Sequence, residues 1–140
     1  MSEGEADATM PASEASKASP WPLFVALGLA VGEVGVFMGL YPVAVGGLLL
    51  FVGSVAGIVQ EAGYSERPWR LLASLGVVLV AIGALVVTSQ TGVDVAAVLG
   101  AAEGSDTIIL RGFSIAAAGV IALAASAAGA TVVDGDPFAA

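Results

Sequence analysis

Four stretches of this chain are long and apolar enough to cross a membrane: Leu23–Leu40, Val43–Val59, Leu71–Thr88 and Ile108–Val133. Spanning about 30 Å of hydrocarbon takes roughly 17–25 helical residues, and even the second segment reaches that length. Only 11% of the chain is charged and its mean hydropathy is +0.98, whereas a soluble domain carries about 25% charge. The expected fold is all-α: a four-span transmembrane helical protein.

The connections refine that picture. Spans one and two meet at Tyr41-Pro42, which leaves room only for a tight helical hairpin. Residues 60–69, QEAGYSERPW, form a polar loop before span three. Between spans three and four, VDVAAVLGAA (93–102) is apolar but too short to cross, so a short interfacial helix is expected there. Pro20 and Pro22 cost little at the start of span one, where the first amides have no intrahelical acceptor. Residues 1–20 are polar and acidic, lack the basic region of a secretion signal, and read as a disordered tail. Residues 134–140 form an acidic C-terminal tail.

Charge narrows both topology and function. An even number of spans puts both termini on one side, together with Lys17, Arg67 and Arg70, while Arg111 stands near the opposite surface. The positive-inside bias then places both termini in the cytoplasm, in a multi-pass protein of the cell membrane. Trp21, Tyr64 and Trp69 fall at one membrane surface and Tyr41 at the other, as an aromatic belt requires. Arg67 and Arg70 beside Trp69 can hold anionic lipid headgroups or simply anchor the topology. Four basic residues make no cationic patch for nucleic acid. The chain has no histidine and no cysteine, which removes the usual haem, copper and iron–sulfur ligands.

Span one holds the two features that ask for a purpose. Gly28, Gly32, Gly35 and Gly39 fall within about 60° on a helical wheel. Such a face lets backbones approach and gain dispersion contacts where lipid offers no hydrophobic drive. Gly53 and Gly57 repeat the spacing in span two, and the alanine-rich span four has an equally narrow profile. Glu33, the only acid deep in an apolar span, points about 130° from the glycine row. A carboxylate in hydrocarbon costs roughly 2.5–3.5 kcal/mol on insertion scales. Glu33 lies about 10 Å and Arg111 about 5 Å inside the same surface, and arginine can bend towards a partner, so a Glu33–Arg111 pair is geometrically feasible. Three roles stay open: a structural ion pair or subunit contact, a polar anchor at the lipid face, and proton or cation handling. Ser54, Ser74, Ser114 and Ser126 are the few further polar groups a relay could use, although each can bond its own helix carbonyls.

The segments Ser19-Pro20-Trp21-Pro22, Glu33, Tyr41-Pro42-Val43 and Pro68-Trp69-Arg70 resemble a family of small haloarchaeal membrane proteins, the cox cluster proteins, encoded beside haem–copper terminal oxidase genes. The likeness is strong over about residues 19–80 and looser beyond. It implies a non-catalytic accessory subunit of a respiratory cytochrome or quinol oxidase, in a hetero-oligomer with the oxidase core subunits and with bound phospholipid. Haem and copper would belong to those partners, and no cofactor to this chain. An alternative is a small proton-coupled multidrug-type transporter that uses Glu33. Small multidrug-resistance exporters are similar in span number and in a first-span glutamate, without a motif match.

Overall fold

The computed structural model describes residues 18–135, with side chains to residue 133. Lys17 and almost all of both tails, including the disorder expected for the N-terminal one, lie outside the described residues. Among the described residues the fold is all-α with five helices: α1 (Trp21–Met38), α2 (Tyr41–Glu61), α3 (Pro68–Thr91), α4 (Val95–Ala102) and α5 (Thr107–Gly135). All but α4 are long and apolar enough to cross a membrane.

Helix ends follow local chemistry. α1, α2 and α3 each carry proline in the first turn. α1 stops at Gly39, whose φ of 71° is left-handed, and the Leu40 N–H returns to the Gly35 carbonyl at 2.8 Å. That cap ends the helix before Leu40 and turns the chain straight into α2. α3 runs on past Thr88 because Thr88, Ser89 and Thr91 donate their hydroxyls to the carbonyls of Ala84, Val86 and Val87. Polar residues thus extend the last turn beyond the apolar boundary. α4 is capped by Asp94, which accepts from the Ala96 N–H at 3.1 Å. None of its residues is buried, and Val95 and Leu99 are exposed, as suits a short helix lying along a membrane surface.

α1 packs on α2, and α3 packs on α5; the two hairpins meet through α2 against α5 and α3. The interior is built of small groups: Ala44, Ala56, Ala118 and Ala122 with Val52, Val87 and Ile109. Large side chains point outward instead, with Leu23 69% and Phe37 88% exposed. A soluble protein inverts that arrangement. In lipid it is the favourable one, because small residues let helices approach while large apolar ones meet acyl chains.

The second hairpin repeats the first. Pro20-Trp21 corresponds to Pro68-Trp69, Gly28 to Gly76 and Gly35 to Gly83 at constant spacing. Along the partner helices Ala44, Gly47, Ser54 and Gly57 correspond to Ala116, Gly119, Ser126 and Gly129. The contacts repeat as well. A Cβ on Gly28 would lie 2.5 Å from the Phe51 N, and one on Gly76 would lie 3.2 Å from the N of Leu123, the counterpart of Phe51. Gly35 abuts the Ala44 backbone as Gly83 abuts that of Ala116, and the ring of Trp21 covers Gly57 as Trp69 covers Gly129. One close-packed, tryptophan-closed hairpin is laid down twice, with α4 inserted in the second copy.

Candidate functional site

The glycine seam is the scaffold of the site. Gly28 and Gly35 leave no space for a side chain against α2. Gly47, which the sequence did not single out, closes the seam from the other side against the backbone of Gly32. Gly32 itself has room: a Cβ there would sit 3.7 Å from Gly47, an ordinary contact. Gly39 and Gly53 stand outside the seam. Gly39 is the left-handed cap with nothing within 4 Å, and Gly53 also faces open space. Gly57 is held under the indole of Trp21, 2.7 Å from its would-be Cβ.

Glu33 leaves the seam towards the outside of α1 and is exposed, beside Val34, Phe37 and Met38. It lies about 8 Å of helix from the end of α1, and Arg111 about 6 Å from the start of α5. Both line one cleft of about 290 Å³ between α1, α2 and α5, together with Gly28, Gly32, Val36, Leu48, Phe51 and Ile115. No hydrogen bond or ion pair joins them. The Arg111 Nε is buried and has no partner among the described residues. Depth places these two charges in one layer, and azimuth keeps them apart on opposite walls.

At the other membrane surface Trp21 and Trp69 share a second cavity of about 440 Å³ with Gln60, Glu66 and Val133. Trp21 meets Phe24 edge-on at 6.2 Å, and Ser19 donates to the Glu61 carboxylate, tying the start of α1 to the end of α2. Tyr64 is 87% exposed, and Arg67 and Arg70 are exposed in the same region. Tyr41 lines a shallow groove at the opposite end with Leu110 and Phe113.

The serines form no relay. Ser54 and Ser114 donate to the carbonyls of Leu50 and Leu110 in their own helices, and Ser74 to that of Leu71. Ser126 alone crosses between helices, donating to the Trp69 carbonyl at 2.5 Å. Gly47, Gly119, Gly129 and Ser126 therefore belong to the packing device, which spacing within single spans does not show. The signal that reveals them is the internal repeat.

Four membrane-length apolar helices around a core of small residues define a multi-pass helical membrane protein. By sequence the chain belongs to a family of unknown function (DUF7541), whose model matches residues 3–132. Comparison with curated proteins and with solved structures gives no match.

Proposed function

We propose that this protein is a non-catalytic accessory subunit of a haem–copper terminal oxidase, fastening core subunits of a respiratory complex in the cell membrane. The observation that carries the reading is Glu33. It lies within an apolar span, on the open side of α1, and makes no hydrogen bond to any described residue. A carboxylate held there in hydrocarbon costs roughly 2.5–3.5 kcal/mol, which a donor or cation from another polypeptide offsets. The surroundings support a docking face: α1 packs on α2 and otherwise presents Leu29, Val34, Phe37 and Met38 outward.

The nature of the partner rests on the likeness of residues 19–80 to the cox cluster proteins. On this reading haem and copper reside in the partner subunits. This chain, with neither histidine nor cysteine, contributes packing surface and one polar fastener. Both termini face the cytoplasm, with Arg67, Arg70 and Trp69 at the anionic headgroups and Trp21, Tyr64 and Tyr41 at the interfaces.

Two variants at one position test the fastener. Glu33→Leu removes the cost of the lone carboxylate, so the chain accumulates in the membrane at least as well as the parent. The same change, and Glu33→Gln to a smaller degree, lowers co-purification with the oxidase several-fold. Unchanged co-purification and oxidase turnover in both variants would overturn the proposal.

A further inference from the structure

We infer that the cleft between α1, α2 and α5 binds an anionic glycerophospholipid, with its phosphate at Arg111 and one apolar chain running along Gly32, Gly28, Leu48 and Phe51. The inference concerns this chain's own residues and stands apart from the oxidase reading. It begins with an unsatisfied donor. The buried serines, Ser54, Ser114 and Ser126, all donate to carbonyls. Arg111 Nε is buried without an acceptor, and a buried charged donor left unpaired is the costliest kind. Glu33, on the facing wall, does not reach it. Arg111 also lines the cleft and has no ion-pair partner there among the described residues; an oxyanion entering the cleft supplies one, and a phosphate pairs well with a guanidinium.

The walls decide what else the ligand carries. Apart from Glu33 and Arg111 the cleft is lined by glycine, aliphatic residues and Phe51, which suits an acyl or isoprenoid chain and leaves a free phosphate ion mostly unsatisfied. Arg111 lies about one turn inside α5, from where its long side chain reaches outward to the headgroup and glycerol level. From there the walls lead inward along α1 from Val36 through Gly32 to Gly28. Glu33 at the rim accepts hydrogen bonds, which the hydroxyls of a glycerol head supply.

Comparison of the two hairpins shows what keeps the cleft open on the α1 side. Gly32 and Glu33 correspond to Val80 and Ala81. Val80 packs against Gly119, its Cγ2 lying 2.7 Å from that glycine's Cβ position. In the first hairpin no side chain takes that place, and a methyl group on Gly32 would meet only ordinary contacts. Helix approach therefore does not require glycine at 32, and its missing side chain leaves the cleft open.

Native mass spectrometry of the full-length chain, released from vesicles of mixed phosphatidylglycerol and phosphatidylcholine, tests the assignment. The expected result is one tightly retained phosphatidylglycerol, preferred over phosphatidylcholine by about tenfold or more. Arg111→Gln abolishes that preference, as does Ile115→Trp, which fills the cleft from α5. The double variant Arg67→Gln/Arg70→Gln, altered at the opposite surface, retains the lipid. Equal retention of both lipids, or unchanged retention in Arg111→Gln, would overturn the assignment. So would displacement of the lipid by millimolar inorganic phosphate alone, which would mark Arg111 as a simple anion site.

Discussion

Individual glycines in this protein do different work, and substitutions separate them. Gly28→Val and Gly35→Leu drive side chains into the α2 backbone. Overpacking of this kind costs about 1–3 kcal/mol or more, so both variants melt well below the parent in detergent micelles. Gly53→Ala and Gly32→Ala meet open space or ordinary contacts, and they leave the melting temperature unchanged or raise it through helix propensity. Equal destabilisation at all four positions would contradict the seam described here. The wheel in the sequence gives the face shared by Gly28, Gly32 and Gly35. It cannot tell which glycine faces a backbone, because that depends on where the neighbouring helix comes closest. Gly53 and Gly57 illustrate the limit: their spacing is that of a packing pair, yet only Gly57 lies beneath the Trp21 ring. Glu33 and Arg111 show the same limit for charge, since helix length gives depth and not the direction each side chain takes around the bundle.

At the scale of elements, the spans were legible because hydropathy decides them, with ends shifted by a few residues. Those shifts have local causes: the Gly39 cap shortens α1, and back-bonded hydroxyls lengthen α3. The polar details were less legible. Of the serines considered, Ser126 is the one that joins two helices. Ser126→Ala removes an interhelical bond worth about 0.6 kcal/mol on average, and at most about 1.7 kcal/mol. Ser54→Ala and Ser114→Ala cost close to nothing, since each hydroxyl bonds a carbonyl of its own helix. Unfolding in mixed micelles distinguishes the three; equal effects would deny Ser126 its special position.

Over the described residues the molecule is two copies of one hairpin, with α4 inserted in the second, a fact that periodicity within single spans does not reveal. Most paired positions differ between the halves, because lipid-facing positions accept any large apolar residue. What persists is what close packing demands: Trp21 and Trp69, Gly28 and Gly76, Gly35 and Gly83, Gly47 and Gly119, Gly57 and Gly129. Each hairpin carries its own seam, so chains cut within the polar loop at 62–67 and co-expressed as two pieces reassemble in the membrane. Recovery of one piece with a tag on the other checks this, and failure to associate would show that the loop holds the halves together. The copies differ where α1 is open to its surroundings, at Gly32 and Glu33, the positions at which we propose that lipid and partner bind. The most direct measurement of that account is isolation of the native protein in mild detergent, with identification of its companions and an absorption spectrum. The account predicts a haem-containing assembly that includes oxidase core subunits. A colourless homodimer would contradict it and return Glu33 to transport.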